Sequence, residues 1–453
     1  MPTAFDADVC VIGAGPAGLA AGKALADRDV RFDWYEKGSM VGGLWRIDND
    51  NGAAVAYETL HLNSSRHRTQ YPSSPMPADW PDYPSHRLVA TYFQAFAERH
   101  GLMSRITFNA EVSSVEPLLG PGRPGAQGWE VAVDRTRRRY RDIVIANGHH
   151  AVPNVPDFDG EFTGESFHSS RYREPSVFAG KDVLVIGVGN SGMDISCDAA
   201  VLARRVLLAT RHGVHVVPKY ALGRPFDHWD TRDDAYLPLP VVRAKTELLL
   251  RVVSGRPEAR GMPTPDHRVL HAHPTASAQL LDRVGHGDIE MKPGIAAFDG
   301  ENVRFTDGSV EHVDLVVYAT GYQVSLPFLS RDVYDPSGNR MPLYQRVVSP
   351  DLTGLYFVGF VQTVGANVAL MEYQAQWVGD LLTGAAALPS DDEMRSWISK
   401  DQQALARRYV RSERHTMQVD YWPYIRSLRL ERTRRGRSSS LRALRRRLAG
   451  AGA

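Results

Sequence analysis

Apolar positions along the chain gather into short runs separated by glycine turns and amphipathic stretches. Asp8–Ile12 (DVCVI) is an almost wholly apolar run, the pattern of a buried parallel strand. It breaks at a glycine-rich turn, and a helix is predicted from Pro16 onward. VRFDWYE, residues 30–36, reads as the next strand. The order then repeats: Lys181–Ile186 as strand, a second glycine turn, MDISCDAAVLA as helix and RVLLATRHG as strand. Toward the C-terminus Asp351–Phe360 reads as a strand and ANVALMEYQAQWVGDLL as a helix. Four stretches depart from the alternation. FTGESFHSSRYR, residues 162–173, has neither a helical nor a strand period. Residues 71–86 carry five prolines and must be a wrapped loop. PLLGPGRPGAQGW, residues 117–129, reads as a hairpin or edge excursion. Ala221–Pro265 interrupts the pattern with the helix-like LPLPVVRAKTELLLRVV, on the substrate side or at a subunit contact.

The turns carry the first chemistry. Gly13, Gly15 and Gly18, with Pro16 and Ala17 between, form G-x-G-x-x-G directly after a strand and at a helix start. Such a turn lets the backbone approach a pyrophosphate at unpaired helix N–H groups. Glu36 ends the next strand, 18 residues past Gly18, where a carboxylate can accept both hydroxyls of a ribose. Gly187, Gly189, Asn190, Ser191 and Gly192 repeat the motif, but the strand after it ends in Thr210 and Arg211. A carboxylate there would repel a 2′-phosphate, whereas a hydroxyl and a guanidinium would bind it. The acid-ended site suits FAD and the second suits NADPH, unless Arg211 is simply an exposed strand-end arginine. The expected fold class is α/β, with two Rossmann-like dinucleotide-binding domains, the second inserted in the first. The expected boundaries are 1–174 for the first part of the FAD domain, 175–292 for the inserted NADPH domain, and 293–453 for the remainder of the FAD domain with a basic C-terminal tail.

Composition narrows the function classes. The 453 residues carry a net charge of +1, so no overall field draws the molecule to nucleic acid. Cys10 and Cys197 are the two cysteines, too few for a disulfide framework or a Cys-x-x-Cys redox pair, which fits a reducing cytoplasm. The N-terminus reads without a signal peptide, and no apolar run reaches the roughly 18 residues that span a bilayer, so no integral membrane association is expected. With no dithiol to accept electrons, two dinucleotide sites leave O2 or an external redox partner.

At this point the chain resembles the flavin-containing monooxygenases, group B flavoproteins that include the Baeyer–Villiger enzymes. Phe162, Gly164, His168 and Tyr172 resemble the family fingerprint F-x-G-x-x-x-H-x-x-x-[Y/F]. Baeyer–Villiger enzymes have tryptophan where Tyr172 stands, so the match favours oxidation of amines and sulfides. GGLW at Gly42–Trp45, with Gly43, Leu44 and Trp45, is similar to the flavin-side loop, and LATRHGVHVVPK to the NADP-selecting strand and loop. Thr320 and Gly321 lie in A-T-G-Y, which the resemblance places between the two domains. It also implies that His61, Asn63, Ser64, Val112 and Gln374 contact cofactor, with Asn63, in LHLNSS, as the catalytic amide beside flavin and nicotinamide. An uncharged amide offers donors and an acceptor to a peroxide; the plain reading of this stretch is an Asn-Ser turn. Where many relatives have a lysine after that stretch, Arg66 and His67 stand here.

The resemblance implies the reaction: NADPH reduces FAD, O2 gives a C4a-hydroperoxyflavin, and one oxygen atom passes to an amine nitrogen or sulfide sulfur of a small organic substrate, as in N,N-dimethylaniline monooxygenases. The alternatives are Baeyer–Villiger oxidation of ketones, an NADPH-driven flavin reductase or oxidase serving a partner or O2, and a non-enzymatic nucleotide-binding scaffold. His168 reads as a structural hydrogen-bonding group in the segment linking the domains rather than as a proton donor. His267, His271 and His273 are not expected to hold a metal, and no metal is predicted anywhere. Cys10 and Cys197 read as packing residues. Residues 426–447 hold ten arginines against one acid, Glu431, and read as a solvated terminal helix rather than a membrane-binding one. A homodimer is an open possibility.

Overall fold

A computed structural model of the chain describes residues 5–119, 126–410 and 416–434. In chain order, the elements that position the site are β1 (Ala7–Ile12), α1 (Pro16–Ala26), β2 (Phe32–Tyr35), α2 (His86–Arg99), β3 (Val112–Leu119), β4 (Ala126–Val133), β5 (Thr136–Ile145), β6 (Glu165–His168), β7 (Asp182–Ile186), α3 (Asn190–Leu202), β8 (Arg205–Ala209), α4 (Leu239–Ser254), β9 (Glu290–Lys292), β10 (Leu315–Tyr318), β11 (Leu355–Phe357), α5 (Val368–Thr383), α6 (Asp391–Arg408) and α7 (Tyr421–Thr433).

The first sheet has the order β2-β1-β5-β4-β3, with β11 also beside β5. β1, β2, β5 and β11 pair in parallel, as their apolar runs require, while β3 and β4 form the antiparallel hairpin expected of residues 117–129. β5 serves both patterns: its first half pairs with β4 and its last three residues with β11. One face is covered by α1, α2 and α5 around Leu19, Trp34, Phe93, Phe96 and Trp377, all buried. Each such large side chain contributes roughly 1.5–3 kcal/mol by leaving water. Across this core Arg28, two residues past α1, donates to the Asp380 carboxylate of α5, which also receives Arg432 of α7.

The second sheet, β9-β8-β7-β10-β6, is parallel throughout. Its members β6 and β10 come from outside residues 175–292, so strand pairing carries this unit out to Glu165 and Tyr318. A three-stranded antiparallel meander over residues 295–312 also belongs to it, because Phe298, Val303 and Phe305 bury against Leu184, Ile186 and Leu207. These strands have too few residues to announce which sheet they join. The two chain passages between the units pair with each other: Tyr322–Gln323 runs antiparallel to Val152–Pro153, and the Asn154 N–H donates to the Gly321 carbonyl.

Among the described residues no helix is long and apolar enough to cross a membrane. The first part of the arginine-rich end is a docked helix. In α7 Arg426 lies over Tyr236 and Arg429 over Tyr373, while Arg432 reaches Asp380 and Gln376. Arg434, just past it, pairs with Glu431. The remainder, from residue 435, lies outside the described residues.

Candidate active site

The two glycine turns are built alike. Gly13 has φ +99° and Gly187 φ +107°, left-handed conformations that only glycine adopts without strain. A Cβ on Gly18 would sit 1.9 Å from the Gly13 carbonyl oxygen, and one on Gly192 1.9 Å from that of Gly187. Each helix therefore lies directly on its turn, with its first N–H groups free of side-chain caps. Gly15 and Gly189 are the residues just before α1 and α3; Pro16, Ala17, Asn190 and Ser191 open those helices.

Around the first turn, the Glu36 carboxylate accepts the N–H groups of Ala14, at 2.6 Å, and Gly38, at 2.7 Å, one on each oxygen. This fixes the group and leaves lone pairs for further donors. Gly43, Leu44 and Trp45 form a single 3-10 turn, tied to the glycine turn because Gly42 N–H donates to Ala14 C=O. Val112 opens β3 and is buried with Tyr35 and Ala110. Gln374 lies on α5. It is fully buried, its carbonyl accepts the Gly359 N–H at 2.9 Å and its amide donates to the Tyr424 hydroxyl at 2.7 Å. Both ends serve protein partners, and the residue braces the Gly359 backbone, which lies against Ala17.

Around the second turn, the Thr210 hydroxyl donates to the His212 carbonyl at 2.6 Å, while Arg211 is exposed at the end of β8. Asn190 accepts the Ala276 N–H and lines a cavity between the two units.

In the fingerprint, Phe162 packs on Phe298, and a Cβ on Gly164 would meet the Phe162 ring at 2.7 Å. His168 ends β6. Ser170 N–H donates to Nδ1 at 3.1 Å, so that nitrogen is an acceptor and the ring proton sits on Nε2, which donates to Gly321 C=O at 2.9 Å. The ring is a neutral clamp between β6 and the A-T-G-Y loop, and burial holds its pKa below the usual value. Thr320 adds a bond from its hydroxyl to the Asn154 carbonyl. Tyr172 is wholly buried, stacks on Phe178 and donates to Asp198 of α3 at 2.7 Å. Asp194, one turn earlier, accepts from Tyr57, and burial raises its pKa to about 6.

Between the two units lies a cavity of about 250 Å³. Asn63 and Ser64 reach it from the first unit, Asn190 from the second, and residues 363–366 and Tyr421 to Pro423 close it. The Asn63 Oδ1 is buried and meets no partner, while the Ser64 hydroxyl bonds Thr69 and His61, exposed, bonds the Thr59 carbonyl. Part of the wall comes from the interrupting stretch, through Phe226 to Asp230 and α4. Sequence reasoning missed Arg68 and Asp227 in this wall. Arg68 donates to the Asp227 and Asp230 carbonyls and lies over Tyr421 and Trp422. It also missed Asn147, whose buried Oδ1 is unpartnered next to the Gly13 turn, and His149, whose pKa burial lowers to about 4. The ANGHH run at the end of β5 was the available signal.

His215 Nε2 donates to the His267 carbonyl at 2.8 Å, while His267 pairs with Asp266 and His271 accepts from Arg243. Among the described residues no three His, Cys, Asp or Glu side chains are grouped to hold a metal ion.

The profile of the flavin-binding monooxygenase-like family matches residues 6–437. The chain belongs to this family. It is a flavin-dependent monooxygenase using FAD and NADPH, and the two glycine turns, the fixed Glu36 and the orphaned Asn63 and Asn147 oxygens suit such cofactors. It is 33% identical over 430 residues to flavin-containing monooxygenase 5 of Oryctolagus cuniculus, covering 91% of this chain and 80% of that one. It is 30% identical over 440 residues to flavin-containing monooxygenase 3 of Homo sapiens, covering 92% and 81%. In fold this family member is similar to S-allyl-L-cysteine S-oxygenase from Allium sativum, with TM-score 0.69, 23% identity and coverage of 96% and 91%. It is likewise similar to cyclohexanone monooxygenase, with TM-score 0.68, 18% identity and 98% of each chain.

Proposed function

We propose that this monooxygenase transfers one oxygen atom to a soft nucleophile, an amine nitrogen or sulfide sulfur, in the cavity between its units, with Asn63 at the reacting centre. The observation that carries this is the buried, unpartnered Asn63 Oδ1 in a cavity that also reaches Asn190 at the second glycine turn. FAD and NADPH, when bound, supply hydride transfer and oxygen activation. The residues supply position and dryness. Gly13–Gly18 and Glu36 would hold the pyrophosphate and ribose of FAD, with Gly43–Trp45 and Asn147 along the same side. Gly187–Gly192 would hold the second pyrophosphate, and Thr210 and Arg211 a 2′-phosphate, Thr210 after rotating its hydroxyl. The Asn63 amide would hydrogen-bond the reacting groups without adding charge. Val217, Val242 and Leu249 give part of the cavity wall an apolar surface. The buried free thiols Cys10 and Cys197 suit a reducing cytoplasm.

The test is oxygenation of thioanisole, N,N-dimethylaniline and cyclohexanone by the holoenzyme with NADPH under isotopically labelled O2. Mass spectrometry should find one labelled oxygen in the sulfoxide and the N-oxide. A labelled lactone in their place would move the reading to Baeyer–Villiger chemistry. NADPH consumption with stoichiometric peroxide and no oxygenated product would move it to an oxidase.

A further inference from the structure

The charges in the cavity wall do not cancel. Four carboxylates line it: Asp227, Asp230, Asp234 and Asp420. Three are matched one to one: Asp234 by Lys245 at 2.6 Å, Asp420 by a two-pronged contact from Arg408, and Asp230 by Arg68 at 3.2 Å. Among the described residues Asp227 forms no ion pair. Its Oδ2 accepts the Ser65 N–H at 2.6 Å, and its Oδ1 is buried without a partner. Lys219, the next cation outward, turns its ammonium to the Leu62 carbonyl at 3.1 Å. A second polar group in the same wall is also unanswered: Thr363, 1% exposed, has an Oγ1 with no partner. Asp227 as a whole is half-buried, but a carboxylate with one oxygen shut off from water and unpaired is costly unless something cationic meets it.

The Ser65 bond places Asp227 against the Asn63-Ser64-Ser65 segment, beside the proposed reacting centre. A protonated amine has no lone pair and cannot itself take up oxygen, so a cation held at Asp227 is not the atom oxidised there. We propose that Asp227 anchors an ammonium group, and that the substrate is bifunctional: a soft sulfur or amine nitrogen to be oxygenated, on a short chain that ends in a second, protonated amine. This rests on the monooxygenase reading and adds the substrate class. The unpaired Nη1 of Arg68 also borders the cavity, but Arg68 already answers Asp230, so the wall keeps one negative charge in excess. A cation cancels it, while a zwitterionic amino acid or an anion does not.

The test compares three ligands of the holoenzyme by calorimetry: 3-(methylthio)propylamine, its uncharged isostere butyl methyl sulfide, and zwitterionic methionine. The amine should bind at least about tenfold tighter than either, a difference of about 1.4 kcal/mol. Asp227→Asn keeps an acceptor for the Ser65 N–H, and it should abolish that preference with FAD content unchanged. Equal binding of the three, a preference for methionine, or a preference that survives in Asp227→Asn would overturn the proposal. Sulfoxide formation from butyl methyl sulfide with NADPH and O2 tests the monooxygenase reading separately, so either can fall alone.

Discussion

Single residues divide into those whose role follows from local spacing and those set by distant contacts. Gly13, Gly18 and Glu36 stood out because their geometry is fixed within one strand–turn–helix unit, where Gly18 lies on the Gly13 carbonyl and Glu36 accepts the Ala14 N–H. Arg68 and Asp227 did not, because they are 159 positions apart and no period links them. Gln374, matched by resemblance, has a tie that spacing could not announce, because α7 brings Tyr424 to its amide from 50 positions away. Arg211 carries a prediction at this scale. It is exposed at the strand end where a 2′-phosphate would lie. Replacing it with alanine should remove a charge-assisted bond of about 1.5–3 kcal/mol, raising KM for NADPH at least about tenfold. KM for NADH should change little. Steady-state kinetics with both nucleotides checks this, and equal loss with both would make Arg211 a structural residue.

The two turn–helix elements are near copies, and they should fail independently. An added Cβ at Gly18 or Gly192 meets backbone, not a flexible side chain, so either α1 or α3 must lift from its turn. Gly18→Ala is expected to lose FAD, seen as a colourless protein on purification. Gly192→Ala is expected to stay yellow while NADPH no longer bleaches the flavin absorbance. A yellow Gly18→Ala protein with normal turnover would show that the first turn tolerates the shift. Elements were the most legible level: β1, β2, β7, β8, α1, α3 and α5 lie where the apolar pattern predicts them. Their sheet membership was less so. β6 and β10 have four residues each, and only strand pairing reveals that both build the second sheet.

At the level of the whole molecule, α3 is one contact between the units that depends on charge. Asp194 and Asp198 hold Tyr57 and Thr59 of the first unit along one helix face. Burial raises the Asp194 pKa from 3.8 to about 6. The folded state therefore binds the proton more tightly than the unfolded chain, and stability falls as pH rises from about 4 through 6. Asp194→Asn removes that dependence and keeps an acceptor for Tyr57. Its melting temperature should exceed that of the parent above pH 6 and converge with it near pH 4. A variant less stable at every pH would mean that the ionised carboxylate itself holds the units together.

The paired passages between the units have a mechanical meaning. A domain hung on two separate strings can swing, slide and turn. Here Val152–Pro153 and Tyr322–Gln323 are hydrogen-bonded into one ribbon, and the His168 ring bolts that ribbon to the edge of the second sheet. A two-stranded ribbon flexes across its flat face but resists torsion and shear, because those would break its ladder. The two passages therefore cannot twist or slide past one another without breaking that ladder, and the two units are joined as if by a single strap.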